Sequence, residues 1–204
     1  SAVIENLLYT GAYILAGAPK IGKSFLVAQI AHHVSTGQDL WGYKVHQGTV
    51  LYLALEDDES RLQRRMFRMF GAEGTSSLHF ATRAKMIGGG LDEQLEKFVR
   101  EHSDTKLIIV DTLQKVREAV SDSYSYSSDY EVIGKLKQFA DRYGVCVLIV
   151  HHTRKQPAGD SFEMISGTTG LLGCADGAFL MQKEKRTDSK ATLEVVGRDQ
   201  PDQR

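Results

Sequence analysis

The chain has 204 residues, of which 42% are hydrophobic and 25% are charged, and its formal net charge is −1. This length suits one well-packed domain and is short for two, and the three prolines exclude a proline-rich linker. The near-zero charge excludes nucleic-acid binding through overall charge, so any such contact has to come from local patches.

The first predicted elements are a buried strand at residues 12–16 and a helix that includes residues 25–34, which are apolar at helical spacing. Between them lies GAPKIGKS, which matches the phosphate-binding pattern G-x-x-x-x-G-K-[ST] at every fixed position. A chance glycine-rich turn is the alternative, but the strand and helix on either side are the setting that the pattern requires. The predicted nucleotide-binding residues are Gly17, Ala18, Pro19, Lys20, Ile21, Gly22, Lys23, Ser24 and Phe25.

The fixed positions of this loop have chemical reasons. Gly17 and Gly22 let the backbone curl so that consecutive N–H groups point into one concave site. The helix that follows adds the positive end of its dipole. Lys23 supplies a mobile charge for the β- and γ-phosphates, and the Ser24 hydroxyl can ligate Mg²⁺. The expected cofactors are therefore ATP and Mg²⁺.

The remaining sequence alternates apolar strands with amphipathic helices. Further strands are predicted at residues 50–55, 78–81, 106–112, 145–150, 178–181 and 191–196. Helices are predicted at residues 60–70, 91–101 and about 130–142, and a glycine hinge at residues 88–90. Continuously apolar strands that alternate with helices indicate an α/β fold. We expect a mostly parallel, twisted sheet with helices on both faces and antiparallel strands at its C-terminal end.

The two cysteines, Cys146 and Cys174, do not suggest a disulfide framework, and Cys146 stands in an apolar run that predicts a core position. The sequence contains neither a signal peptide nor an apolar run of membrane length, so we expect a cytoplasmic protein without membrane contact. Ser1 stands where an initiator methionine would, and the chain ends just after a predicted strand. We therefore expect residues 1–204 to be one domain of a longer protein.

Asp111 follows the four apolar residues 107–110, as an aspartate does in a Walker B strand. A parallel strand ends at the ligand-binding edge of its sheet, so we expect Asp111 to reach the Mg²⁺ held by Ser24. The alternative is an aspartate that only begins a turn.

Glu56 follows another apolar strand and is expected at the same edge of the sheet. A carboxylate there could orient and deprotonate the water that attacks the γ-phosphate. Asp57, Asp58 and Glu59 are weaker candidates, because acids are favoured at the start of a helix in any case. Under the alternative reading, all four acids are solvated residues of the helix start.

His151 and His152 follow the apolar run at 145–150 at the same predicted edge. A histidine there could hydrogen-bond the γ-phosphate and report its loss to the segment that follows. The two cannot bind one metal as a pair, because neighbouring side chains of a strand point to opposite faces. A structural hydrogen-bonding role remains open.

Together these residues resemble the RecA-like hexameric helicase ATPases, especially the RepA type of replicative helicase encoded by plasmids and phages. The resemblance extends from about Tyr9 to Asp199. Its most specific segments are APKIGKSF at 18–25, LYLALEDD at 51–58, VHHTRK at 150–155, SGT at 166–168 with Ala175 and Asp176, and GRD at 197–199.

The resemblance implies a RecA-like P-loop fold and a role for each matching residue. Lys23 and Ser24 would bind phosphate and Mg²⁺, with Asp111 as the Walker B acid. Glu56 would be the catalytic base and His152 the sensor of the γ-phosphate.

The resemblance also implies contacts beyond the single chain. Arg198 would be an arginine finger that completes the site of a neighbouring subunit in a hexameric ring, since a guanidinium can meet the charge that phosphoryl transfer spreads over the γ-oxygens. Residues 114–129 and 154–163 would be loops that contact single-stranded DNA. Basic and aromatic side chains suit that contact, although a disordered serine-rich loop is the alternative for the first segment. The basic residues concerned are Lys115, Arg117, Arg154 and Lys155, with Tyr124 and Tyr126 beside them.

The favoured function is the ATP-hydrolysing motor domain of a hexameric DNA helicase in plasmid or phage replication, which couples hydrolysis to translocation on single-stranded DNA. A non-motor ATP switch of the recombinase or clock type shares the fold and most of the site, and the sequence separates it poorly from a motor. A small nucleoside or nucleotide kinase shares the P-loop, but it needs an arginine-rich lid that the sequence lacks and leaves Glu56 unexplained.

Overall fold

The computed structural model describes residues 1–71, 76–117, 126–153, 171–183 and 192–197. The strands are β1 (Ala2–Ile4), β2 (Leu8–Tyr9), β3 (Gly11–Gly17), β4 (Thr49–Ala54), β5 (Leu78–Ala81), β6 (Thr105–Asp111), β7 (Cys146–His152), β8 (Gly177–Gln182) and β9 (Thr192–Gly197). The helices are α1 (Lys23–Thr36), α2 (Glu59–Phe70), α3 (Leu91–Glu101) and α4 (Tyr126–Tyr143). Within these residues, no helix is both long and apolar enough to span a bilayer.

Within the described part of the chain, seven strands form one sheet in the order β5-β4-β6-β7-β3-β8-β9. Neighbouring strands are parallel except β8 and β9, which are antiparallel. Each face of the sheet packs into its own hydrophobic cluster, with α1 and α2 in one and α3 and α4 in the other. The predicted α/β fold is therefore confirmed, including the helices on both faces and the antiparallel C-terminal strands.

The central strands β6 and β7 are buried along almost their whole length. Both of their faces lie under helices, so alternate side chains enter the two clusters instead of alternating between core and water. Ile149 faces α4, for example, and Val150 faces α1. This double burial explains why these strands are continuous apolar runs in the sequence.

The predicted elements depart from the structure mainly at their ends. α1 begins at Lys23, before the predicted apolar run, because the P-loop leads directly into the helix. β7 continues through His152, and α4 begins at Tyr126, inside the segment predicted as a loop. The antiparallel pair β1–β2 was not predicted, because strands of three and two residues carry no periodic signal.

Residues 88–90 form a turn and a helix start, so the predicted hinge is wrong. Gly88 and Gly90 have φ angles of 76° and 116°, which glycine adopts far more readily than other residues. Gly90 is the N-cap of α3, and Gly89 donates to the carbonyl of Met86 at 2.9 Å. The glycines therefore fix the entry into α3.

Asp176 anchors the beginning of β3, at the edge of the sheet opposite the P-loop. Its Oδ2 accepts a hydrogen bond from the N–H of Ala12 at 2.9 Å and pairs with Nζ of Lys137 on α4 at 3.0 Å. A Cβ on Gly11, whose φ is 134°, would stand 2.1 Å from the same oxygen. This contact holds β3, α4 and the segment before β8 together.

Candidate active site

Four adjacent strands, β4, β6, β7 and β3, end at one edge of the sheet. Gly17, the last residue of β3, is in register with His152, the last residue of β7. Asp111, the last residue of β6, is in register with Ala54 of β4, and Glu56 follows Ala54 by two residues. The strand ends therefore bring the P-loop, Asp111, Glu56 and His152 to one place.

The loop between β3 and α1 curls tightly. Lys20 and Gly22 have φ angles of 63° and 109°, and Gly22 is the N-cap of α1. A Cβ on Gly17 would stand 2.9 Å from the carbonyl oxygen of Met181, so the close approach of β8 requires glycine there. Among the described side chains, none caps the start of α1. This arrangement suits an anion such as phosphate as the acceptor for the first-turn N–H groups.

Lys23 is 3% exposed, and its ammonium group donates to the carbonyl oxygens of Gly17 and Ala18, each at 2.6 Å. Burial lowers the pKa of Lys23 to about 8, against the opposing effect of Asp111 and Glu56. A buried cation held only by carbonyl dipoles gains most from a nearby anion. A phosphate in the loop would supply that anion.

Asp111 is 5% exposed and lies in a network of hydroxyl groups. Its Oδ2 accepts hydrogen bonds from Tyr52 at 3.2 Å and from Ser24 at 3.4 Å. Burial raises the pKa of Asp111, and the hydrogen bond from Tyr52 works in the opposite direction. Tyr52 was not predicted, although it lies on the same face of β4 as Ala54.

The donor set fits Mg²⁺, a hard cation that prefers oxygen ligands and keeps several waters or phosphate oxygens. The Ser24 hydroxyl and the Asp111 carboxylate would hold it, and a divalent charge would favour the ionised form of Asp111. Within the described residues, no group of three or more histidines, cysteines and acids could hold a metal by itself. That finding agrees with an ion held partly by the phosphates of a ligand.

Glu56 is held from two sides. Its Oε1 accepts a hydrogen bond from the buried hydroxyl of Thr112 at 3.1 Å, and its Oε2 lies 3.3 Å from Nε2 of His152. The side chain is 44% exposed, so water can reach it. An oriented carboxylate with access to water is what a general base requires. Thr112 was not predicted, since nothing in its local sequence indicates the contact.

The acids that follow Glu56 serve the helix. Asp57 forms a two-point ion pair with Arg65 of α2, with N–O distances of 3.0 and 3.4 Å. Asp58 is the N-cap of α2, and its Oδ1 accepts from the N–H of Arg61 at 2.7 Å. Both acids are therefore occupied within α2 and its start, which leaves Glu56 as the acid that faces the P-loop edge.

The predicted DNA-contacting residues fall into three groups. Lys115 lies exposed in a short 3₁₀ turn after β6. Arg117 is largely buried and forms an ion pair with Asp129 at 2.8 Å, a contact that the sequence did not predict. Arg154 and Lys155 lie outside the described residues, as does the predicted arginine finger Arg198.

A cleft of about 470 Å³ lies beside the P-loop, between α1 and the C-terminal strands. Phe25 and Trp41 are 56% and 51% exposed, and both line the cleft. Met181 of β8 and Leu193 of β9 form part of the opposite wall. An open apolar cleft next to a phosphate-binding loop has the shape and chemistry to accept a planar base. Trp41 was not predicted as a site residue.

Comparison with solved structures supports the fold. The chain superposes on the structure of an isolated ATPase domain with a TM-score of 0.72 and 16% identity, covering 96% of this chain and 80% of that one. It also superposes on a DnaB-like replicative helicase, solved in a study of its interactions with primase, with a TM-score of 0.73 and 14% identity. That match covers 96% of this chain and 56% of the other. No curated protein matches the sequence.

The sheet, the P-loop and the acids at its edge define a nucleoside triphosphatase with the fold of replicative-helicase ATPase domains, so the predicted RecA-like resemblance is confirmed. A family model described as "AAA domain" matches residues 1–158. The chain belongs to this AAA-domain family.

Proposed function

We propose that this chain is the ATP-hydrolysing motor domain of a hexameric DNA helicase of plasmid or phage replication, working in the cytoplasm. The observation that carries the proposal is the position of Glu56, which lies between Thr112 and His152 at the same sheet edge as the P-loop. A kinase that transfers phosphate to a second substrate would have no need of a base directed at water.

In the proposed reaction, ATP binds with its phosphates in the loop 17–24. Lys23 neutralises phosphate charge, and Ser24 and Asp111 hold Mg²⁺. Glu56 accepts a proton from water as the water oxygen forms its bond to the γ-phosphorus and the bond to the β–γ bridging oxygen breaks. The products are ADP and inorganic phosphate.

His152 is proposed to sense the γ-phosphate, because its Nε2 already lies beside the base. Loss of the phosphate changes the hydrogen-bonding partners available to His152, and the segment after β7 follows it directly in the chain. That segment contains Arg154 and Lys155, which we propose to contact single-stranded DNA together with Lys115.

The cleft beside Phe25 and Trp41 is proposed to hold the base of the nucleotide. A base stacked on either ring would replace exposed apolar surface with a π contact, as aromatic side chains do elsewhere. The chain contains one tryptophan, so its fluorescence reports on this cleft alone.

One observation favours the non-motor switch as a second candidate. Arg117 was expected to contact DNA, but it is mostly buried against Asp129. Of the two basic residues predicted for the first DNA-contacting segment, the exposed one is Lys115. A switch that binds a protein partner needs no such cations.

The deciding experiment is ATP turnover by the chain with and without single-stranded oligonucleotides. For a motor we expect turnover to rise with DNA, and for a switch we expect no response. Lys23→Ala is the inactive control, because the phosphates lose the one cation of the loop core. Trp41 fluorescence should change on addition of ATP to the unmutated chain and change much less in Lys23→Ala at the same ATP concentration. Normal turnover by Lys23→Ala would overturn the site.

A further inference from the structure

The two histidines at the end of β7 face opposite sides of the sheet, as successive residues of a strand do. His152 lies on the nucleotide side, with its Nε2 3.3 Å from Glu56. His151 lies on the α4 side, where its Nε2 is 3.6 Å from Oδ2 of Asp129. A displacement of the β7 end is therefore felt on both faces at once.

Asp129 holds a second partner besides His151. Its Oδ1 accepts from the guanidinium of Arg117 at 2.8 Å. The side chains of Arg117, Asp129 and His151 are 15%, 12% and 11% exposed, so the three form a mostly buried charged cluster. Burial alone would raise the pKa of Asp129, but the contacts with His151 and Arg117 outweigh it and lower the pKa. Removing one member of such a cluster leaves the others without compensation.

The position of the cluster in the chain connects it to the active site. Arg117 closes the short stretch that begins with Asp111 and Thr112, the ligand for Mg²⁺ and the partner of Glu56 in the proposed site. Its neighbour in sequence on the other side is residue 118, in the first segment that we propose to contact DNA. His151 likewise lies between the nucleotide site and the second proposed DNA segment, which includes Arg154.

We propose that Asp129 is a positioning residue that couples the nucleotide site to DNA binding. Its carboxylate joins the backbone after β6 to the end of β7, so the two proposed DNA-contacting segments move together when His152 loses or gains the γ-phosphate. This inference rests on the proposed motor function. It also reassigns Arg117 from a DNA contact to a partner of Asp129.

The test is Asp129→Asn, which keeps the shape of the side chain and removes its charge. We expect basal ATP turnover to be unchanged and the stimulation by oligothymidylate to fall by about fivefold or more, the lower end of measured coupling between sites. The double variant Arg117→Gln with Asp129→Asn should be no worse than either single variant in this ratio, because both changes remove the same interaction.

The matched control is Lys137→Gln. Lys137 also ties α4 to the sheet through a carboxylate, that of Asp176, but at the opposite edge. This variant should lose stability and keep its DNA stimulation. If it loses stimulation to the same degree as Asp129→Asn, the cluster serves only to stabilise α4 and the proposal is wrong.

DNA affinity provides a second readout. If Arg117 contacted a phosphate, Arg117→Gln would weaken binding and reduce its salt dependence by about one counterion. We expect the salt dependence of oligothymidylate binding, measured by fluorescence anisotropy, to be unchanged. A reduced salt dependence would overturn the reassignment.

The remaining outcomes are also decisive. Full DNA stimulation of Asp129→Asn would overturn the coupling role. If Asp129→Asn does not fold, Arg117→Gln carries the same test, since Asp129 then keeps its contact with His151. If the unmutated chain hydrolyses ATP without any response to DNA, the motor function fails and the inference fails with it, whereas a response lost only in the cluster variants supports both.

Discussion

The imidazole of His152 and the carboxylate of Glu56 meet across a strand that belongs to neither: Nε2 lies 3.3 Å from Oε2, and β6 runs between β7 and β4. Asp111 ends that intervening strand. The contact therefore arches over the proposed Mg²⁺ site, and the proposed base and sensor cannot respond independently to the γ-phosphate.

Glu56→Gln separates the proposed base from its acidic neighbours. The amide keeps a hydrogen-bond acceptor for Thr112 but cannot take a proton from water, so we expect ATP and Mg²⁺ binding to persist and turnover to fall by about 10²-fold or more. Asp58→Asn is the control, because asparagine also caps helices well. Steady-state phosphate release measures both. Equal losses in the two variants would contradict the base assignment.

Nucleotide affinity should depend on pH through Lys23. Its pKa is lowered to about 8 by burial, and the bound triphosphate would raise it again. Above pH 8 the free chain has lost this proton, so binding takes up a proton and affinity falls as the pH rises, by up to about tenfold per pH unit. Calorimetry in buffers of different ionisation enthalpy measures the uptake. Lys23→Ala should take up no such proton, and equal uptake in both chains would assign the effect to another group.

The joint replacement of Arg154 and Lys155 by alanine tests the second proposed DNA segment. Fewer phosphate contacts release fewer counterions, so oligothymidylate binding should weaken and its salt dependence should flatten by about one to two ions. Basal hydrolysis should survive. Lys44→Ala with Lys106→Ala is the charge-matched control: Lys44 lies in the α1–β4 connection and Lys106 near the start of β6, away from the P-loop edge. Unchanged DNA binding by the first pair would favour the non-motor switch.

Arg198 tests whether the active site is shared between subunits. If it acts in trans, Arg198→Ala should lower turnover and leave nucleotide affinity nearly intact, as expected for a group that stabilises the transition state more than the ground state. Specific activity of the unmutated chain should rise with protein concentration. Mixing Arg198→Ala with Lys23→Ala should restore part of the activity, because some interfaces receive one intact half from each. Turnover that is independent of concentration, with no rescue on mixing, would indicate a self-sufficient monomer.

The fold and the edge of the sheet could be predicted because their signals are local. Each doubly covered strand is a continuous apolar run, and Asp111, Glu56 and His152 each stand at or just after the end of one. Parallel strands that end together place such residues side by side without knowledge of any contact. The family motifs then gave each residue a role.

The contacts that orient these residues could not be predicted, because they join distant parts of the chain. Tyr52 and Thr112 reach Asp111 and Glu56 across 59 and 56 residues, and neither type of side chain signals its partner. Arg117 is misleading for the same reason, since a cation in a polar segment indicates solvent or DNA until its buried acid is known. Strand alternation could have placed Tyr52 on the same face as Ala54, although not at Asp111.

The contact of Asp176 with the start of β3 has a consequence for how the sequence can vary. The space that a side chain at residue 11 would need is filled by the Asp176 carboxylate, and the local φ of 134° disfavours any other residue as well. A library selected only for folded protein should therefore retain glycine at residue 11, while Lys23 drifts freely. A lineage that had abandoned nucleotides altogether would still carry Gly11 as the trace of its architecture.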